Sequence, residues 1–236
     1  MPTFKTYLTL LRVSNLPTVW SNVLTAALLC NAPFSWITLI VLMLSLSLFY
    51  CGGMAFNDIC DADIDLLQRP SRPIPAHRIT RRAASLLTLM LFICAFALLL
   101  ATPHQTSAII AGALLLACIL FYDLFHKGNP ASVMVMAACR AMVYVVAGYA
   151  ITETVNQALM VIATIQFGYI ILVSLTARYE NNLKAGFAFP MIPFMLAGIC
   201  LIDGIYLAVT LSSYWLVVGA GGMVLTLFGQ RFVRGD

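Results

Sequence analysis

Asn57, Asp58, Asp61 and Asp65 recur at three- and four-residue spacing in the stretch 57–80, NDICDADIDLLQRPSRPIPAHRIT. On a helix that spacing sets four oxygen-bearing side chains on one stripe, neighbours lying within about 6 Å of each other. Such a stripe can hold a hard cation. Magnesium prefers oxygen ligands and binds through one or two carboxylates plus the phosphates of a substrate. Directly downstream stand Arg69, Arg72, Arg78, Arg81 and Arg82. Guanidinium forks take phosphate oxygens bidentately, so Arg69 and Arg72 are candidate diphosphate ligands opposite the aspartates, with Lys127 as a further point charge. For Arg78, Arg81 and Arg82 the plainer reading is that they solvate a loop and set topology. That reading does not extend to the aspartates, because acidic residues contribute little to membrane orientation.

The elements that must carry these residues are membrane helices. The 236-residue chain is 62% hydrophobic and 9% charged, with a mean hydropathy of +0.96, far from the composition of a soluble globular domain. Its apolar stretches are long enough for a bilayer core, and strand-like alternation is absent, so a helical bundle is expected rather than a barrel. Residues 1–236 read as one domain. Expected spans cover 13–31, 35–56, 83–101, 106–122, 130–151, 157–177, 187–209 and 213–231. The seventh contains Pro190, Pro193 and the pair Asp203-Gly204, so it reads as one kinked helix or two pieces, giving eight spans or nine. Pro70, Pro73 and Pro75 are expected to turn the chain out of the second span into an extended loop. No cleavable signal peptide is apparent.

Lys and Arg collect in alternate loops: Lys5 and Arg12, the 69–82 stretch, Lys127, Arg178 and Lys184, and Arg231 and Arg234 fall on one side. The loops at 32–34, 102–105, 152–156 and 210–212 hold none. Positive charge marks the cytoplasmic side, so an even number of spans with both termini cytoplasmic is expected. Three charged clusters then share that side: 57–82, the YDLFHK run at 122–127, and the RYENNLK run at 178–184. They can cap one cavity whose apolar walls suit a long lipid with a charged head. Arg140 lies inside the fifth span, where a charge costs several kcal/mol and faces the bundle interior or a polar cavity. It is either a site residue or paired with a helix carbonyl or a carboxylate. Asp203 is read as a loop residue at a break in the seventh span. Seven cysteines without a CxxC pair read as small buried hydrophobes. His77, His104 and His126 share no metal spacing. The formal charge of +4 is too small to argue for nucleic acid.

At these residues the chain resembles the UbiA superfamily of intramembrane prenyltransferases. Residues 57–65, NDICDADID, match the family's NDxxDxxxD motif, and RPSRPIP at 69–75 matches the RPxRPI that follows it. Arg12-Val13-Ser14-Asn15-Leu16-Pro17, with Asn22 in the first span, resembles the family's start. The resemblance implies an all-helical bundle around a central cavity, with Mg2+ bridging Asp-rich motifs to an isoprenyl diphosphate. Loss of diphosphate would leave an allylic carbocation-like centre for an acceptor, often an aromatic ring, to attack. Asn22 and Tyr122 are then candidates for the acceptor side, and Asp58, Asp61, Asp65 and Arg140 for the catalytic machinery. The implied setting is a multi-pass protein of the bacterial inner membrane with its site loops cytoplasmic and no required protein partner.

The sequence departs from the family in two places. The second Asp-rich motif, DxxxD, aligns with Arg178 and Asn182, leaving Glu180 as the acidic residue there. Glu180 and Asn182 are weak candidate metal ligands, and Arg178 and Lys184 can replace a second ion as diphosphate ligands. In the YxxxK element, Tyr122 is followed by Lys127 one place late, with His126 at the expected position. The function implied is prenyl transfer; the alternative is a non-catalytic lipid-binding or transport component on the same fold.

Overall fold

The computed structural model describes residues 3–33, 35–125, 131–182 and 189–233, the side chains of Asn181 and Asn182 excepted. The described residues are all-α, as expected. The short helix α1 (Phe4–Leu10) leads through a 3-10 turn (Val13–Asn15) into α2 (Leu16–Leu29) and the long α3 (Trp36–Gln68). Then follow α4 (Arg81–Leu99), α5 (Gln105–Phe125), α6 (Ser132–Thr152), α7 (Gln157–Asn182), α8 (Met191–Thr210) and α9 (Trp215–Phe232). Among the described residues, the seven helices α3 to α9 are long and apolar enough to cross a membrane.

The first expected span differs. Its helix, α2, has 14 residues and rises about 21 Å, short of a hydrocarbon core of about 30 Å. It compensates by position: α2 packs against α3, α6, α7, α8 and α9, and Thr18, Asn22 and Thr25 are buried on it together with Val19, Val23 and Ala26. A helix carrying these polar side chains is tolerable in a bilayer when protein rather than lipid surrounds them. The seventh expected span is one helix. Pro190 precedes α8 and Pro193 sits in its first turn, where the backbone N–H groups have no intrahelical partner to lose, so the two-piece alternative is not realised.

Sequential neighbours pack as antiparallel pairs, α3 with α4, α5 with α6, α6 with α7 and α8 with α9. Phe49 of α3 anchors the first pair, its ring 5.1 Å from Phe96 and 6.1 Å from Phe92. The last pair closes on glycines. A methyl group on Gly219 would lie 2.6 Å from the Gly204 Cα and 2.7 Å from the Cys200 carbonyl oxygen, so the backbones of α8 and α9 touch only because neither glycine carries a side chain.

The helix that matters most for the site is α3. Ser35 caps its start by accepting the Thr38 N–H at 3.3 Å, and its 33 residues extend about 50 Å. That is longer than a bilayer core needs, so one end, with the acidic stripe, projects beyond the apolar part of the bundle.

Candidate active site

Asp58 and Asp65 stand two turns apart on α3, and both turn inward, 3% and 4% exposed. A single guanidinium nitrogen joins them: Arg72 Nη1 is 3.3 Å from Asp58 Oδ1 and 2.6 Å from Asp65 Oδ2. Arg12 reaches the same oxygen, Nη2 to Asp58 Oδ1 at 3.2 Å, while its Nη1 lies 3.3 Å from the Met54 sulfur. Two carboxylates thus face two guanidinium groups in a nearly water-excluded cluster. Its parts come from separate segments, and each has a local cause. Arg12 takes a left-handed backbone, φ 46°, at the junction of α1 and the 3-10 turn. Arg72 is returned to α3 because the segment after the helix buries Ile74 and Ile79 against Leu10, Ala55, Ala62 and Ala84.

That segment corrects one expectation. Rather than extended, residues 69–79 are wound into turns, with Arg72 N bonded to Arg69 O (3.0 Å), Ala76 N to Arg72 O (2.9 Å) and Arg78 N to Pro73 O (3.0 Å). Proline's fixed φ suits turns as well as extended chain, and burial of the two isoleucines favours the compact choice.

The other residues of the stripe spread around this cluster. Asn57 donates to Asp123 Oδ1 at 3.1 Å, tying α3 to α5. Asp61 is half-buried and close enough to Asp58 and Asp123 for its charge to act on both. Asp63 points outward and pairs with Arg81 at 2.5 Å on the surface, which fits the plain reading of that arginine. Arg69 is exposed at the end of α3, and Tyr122 is half-buried beside Asp123. Arg178, at the position of the altered second motif, donates to Ser132 Oγ at 2.8 Å and so braces α7 on α6. Glu180 is half-buried on α7. Lys127, Lys184 and the side chain of Asn182 lie outside the described residues.

Arg140 leads into a second polar cluster, deeper in the bundle. Its Nη1 donates to Thr18 Oγ1 (3.2 Å) and Asn22 Oδ1 (2.9 Å). Asn22 in turn donates to the Tyr144 hydroxyl (2.7 Å) and to Asp203 Oδ2 (2.8 Å). Asp203 also accepts from Ser21 (2.6 Å), Tyr144 (2.5 Å) and Gln166 (3.2 Å). Asp203 is therefore not a loop residue: it is 1% exposed within α8. The carboxylate survives burial because four side-chain donors surround it. Of the two readings of Arg140, the structure supplies polar partners on α2 and a carboxylate one residue further on.

The comparisons with known proteins agree with this architecture. The family model described as the UbiA prenyltransferase family matches residues 15–234. This chain belongs to the UbiA prenyltransferase family. Among curated relatives, a digeranylgeranylglyceryl phosphate synthase from Methanococcus aeolicus is 34% identical over 91 residues, covering 38% of this chain and 33% of the relative. The polyprenyl transferase trt2 of Aspergillus terreus is 39% identical over 85 residues, 35% of this chain and 25% of the relative. The matched segments thus span about a third or less of these relatives' lengths. Among solved structures, one from work on digeranylgeranylglyceryl phosphate synthase in membranes aligns with a TM-score of 0.65 at 18% identity, over 95% of this chain and 85% of that one. A UbiA homologue from Archaeoglobus fulgidus, bound to GPP and Mg2+, aligns with a TM-score of 0.59 at 20% identity, over 94% of this chain and 85% of that one. At these identities the likeness is one of fold.

Within this UbiA chain the first motif offers a testable fit for a divalent cation. Among the described residues no group of three or more His, Cys, Asp or Glu side chains gathers as a ready-made metal cage. What exists is a carboxylate pair, Asp58 and Asp65, converging on one positively charged atom, Arg72 Nη1. The guanidinium stands in for a cation there. One or two carboxylates, the rest being phosphate and water, is the donor set magnesium uses, so the residues fit the ion. Two contributors to this end of the bundle were not singled out as site residues from sequence. Asp123 is one, and its signal was its place inside the YDLFHK run. Arg12 is the other, readable only as part of the family-like start.

Proposed function

We propose that this protein transfers an isoprenyl group from a prenyl diphosphate to a lipophilic acceptor, with Mg2+, at the end of the bundle where Asp58 and Asp65 face Arg12 and Arg72. The observation that carries the reading is that buried carboxylate–guanidinium cluster. Its charges balance without substrate, and each half is chemically matched to one part of a magnesium diphosphate. Asp58 and Asp65 are the ligands for the ion, with Asp61 and Asn57 at hand. Arg12, Arg72 and the exposed Arg69 are the ligands for the diphosphate oxygens, joined by Arg178 of α7 and by Lys127 and Lys184. On binding, the arginines exchange carboxylate oxygens for phosphate oxygens of similar geometry. Bound Mg2+ would supply neutralisation of the negative charge that gathers on the departing diphosphate.

The protein's own part is electrostatic and steric. The carbon–oxygen bond to the diphosphate breaks, and the guanidinium groups stabilise the leaving group where its charge develops. The apolar bundle keeps water from the electron-poor allylic carbon until the acceptor bonds to it, the acceptor's displaced proton leaving with the released diphosphate. Asn22, which accepts from Arg140, and Tyr122 are the acceptor-side groups of this scheme, and Arg140 belongs with the catalytic groups. Family membership and the names of the relatives, a digeranylgeranylglyceryl phosphate synthase and a polyprenyl transferase, support prenyl transfer. The clustering of Lys and Arg at one end supports a multi-pass protein with the site on the cytoplasmic face.

The test is turnover. Purified protein given Mg2+, a panel of prenyl diphosphates and candidate aromatic and polar-lipid acceptors should release pyrophosphate when donor and acceptor are both suitable, and Asp58→Asn and Asp61→Ala should each suppress it. Prenyl diphosphate binding without release for any acceptor would instead support the non-catalytic lipid-binding or transport reading. No binding, with Asp61→Ala without effect, would reject both.

A further inference from the structure

At the same end of the bundle, but outside the carboxylate–guanidinium cluster, α1 and the turns after α3 border a polar cavity of about 470 Å3 that opens to the surface. Lys5, Thr6 and Thr9 line it from α1, and Pro73, His77 and Arg78 from the turns. Two cations and a histidine thus share one small space, and among the described residues no carboxylate lines it. Neither Lys5 nor Arg78 forms an ion pair with any described residue, in contrast to the nearby Arg72 and Arg81, whose aspartates are taken up. Uncompensated cations gathered in one concavity are an anion site by charge complementarity.

The walls are preformed. Buried Leu10 of α1 packs in one apolar cluster with Ile74 and Ile79, joined by Tyr7 and Leu11, so α1 and the turns are fastened together beneath the cavity. The turn wall is further fixed by His77 N to Ile74 O and Arg78 N to Pro73 O, both 3.0 Å. His77 itself takes a left-handed backbone, φ 54°, a conformation that costs about 1 kcal/mol or more in a residue with a Cβ and is held only where surroundings impose it. It places an imidazole beside Arg78 at the rim.

The setting selects the kind of anion. α1 carries Phe4, which is 78% exposed, on a short helix at the end of an apolar bundle, as expected for a segment lying in a membrane interface. We infer that the cavity formed by Lys5, His77 and Arg78 binds a phosphate group, presented by the headgroup of an anionic membrane lipid and distinct from the diphosphate of the proposed donor. The arginine fork and the lysine ammonium take the phosphate oxygens, and the exposed Phe4 lies among the acyl chains beside it.

The experiment uses the purified protein in detergent, with native mass spectrometry reading bound lipid. Phosphatidylglycerol should bind in preference to phosphatidylcholine, and the double variant Lys5→Gln/Arg78→Gln should bind phosphatidylglycerol about tenfold more weakly, the scale of losing a charge-assisted contact. The control Arg82→Gln/Arg231→Gln removes the same charge from exposed positions outside the cavity and should change binding less than about twofold. Titration with inorganic phosphate separates the sources. Displacement of the lipid only at concentrations far above those of the lipid itself supports the headgroup, and displacement at equal concentration supports a free phosphate in the same site. Equal loss in both double variants, or no preference for the anionic lipid in the unmodified protein, overturns the inference. Since all three residues lie outside the proposed catalytic cluster, pyrophosphate release by the double variant reports separately on the proposed function.

Discussion

Replacing Arg72 with alanine should have two opposite consequences, and magnesium should tell them apart. Arg72 Nη1 bridges Asp58 and Asp65, with the arginine side chain 13% exposed and the two carboxylates 4% and 6%. Solvent screening is therefore slight. Breaking a buried pair by removing one partner costs about 3–5 kcal/mol, but Arg12 still faces Asp58, so about 2–3 kcal/mol is expected here. The variant without ligand should melt well below the parent in a detergent thermal scan. Yet it also vacates the position where a cation would sit between the carboxylates. At tenfold excess over its dissociation constant, a bound ion returns about 1.4 kcal/mol. Mg2+ should thus raise the melting temperature of Arg72→Ala more than that of the parent, in which the ion must displace a guanidinium. Prenyl diphosphate binding should meanwhile weaken by about 10- to 100-fold, the value of one charge-assisted contact of 1.5–3 kcal/mol, against less than about twofold for Arg82→Ala. If Arg72→Ala and Arg82→Ala weaken diphosphate binding equally, or if Mg2+ shifts neither melting curve, Arg72 acts only through bulk charge and holds no place between metal and diphosphate.

Three further outcomes follow from the same geometry. Asp203→Ala removes the acceptor for Ser21, Asn22, Tyr144 and Gln166 and should destabilise by about 3–5 kcal/mol, while Asp203→Asn, which keeps one carbonyl, should lose clearly less; thermal unfolding in detergent compares them. Gly219→Ala forces a methyl group against the backbone of α8 and should lower the melting temperature and speed proteolysis, with Gly221→Ala, where a Cβ meets nothing within 4 Å, as a neutral control. Asp123→Asn keeps the side chain's size and can still accept from Asn57, so it should leave folding intact and reduce the Mg2+ dependence of pyrophosphate release; unchanged Mg2+ dependence would remove Asp123 from the site.

The parts of the site that sequence disclosed are those encoded locally. The three- and four-residue spacing of Asn57, Asp58, Asp61 and Asp65 determines a stripe on any helix, and the apolar run before it makes that helix a membrane span continuous with the motif. The partners that complete the stripe come from elsewhere. Arg12 lies 46 residues from Asp58 and Asn57 lies 66 from Asp123, and no local pattern announces which helices will meet. Asp203 shows the opposite failure, a local pattern that misleads. Asp-Gly is a turn signal, but Gly204 serves the close approach of α9, and the aspartate beside it faces donors from α2, α6 and α7. The compact winding of 69–79 was hidden for a related reason, since proline specifies φ but not whether the chain around it extends or turns; burial of Ile74 and Ile79 decided it. The shortness of α2 is a packing outcome as well, because a helix surrounded by five others need not reach across the bilayer.

Equilibrium binding of a non-hydrolysable prenyl thiodiphosphate decides whether Asp58 and Asp65 hold a divalent cation against a prenyl diphosphate. Binding to the unmodified protein should require Mg2+, and Asp65→Asn should abolish that requirement by leaving only weak, metal-independent binding to the arginines. Equal affinity with and without Mg2+, or an Asp65→Asn protein that binds as the parent does, would contradict that role.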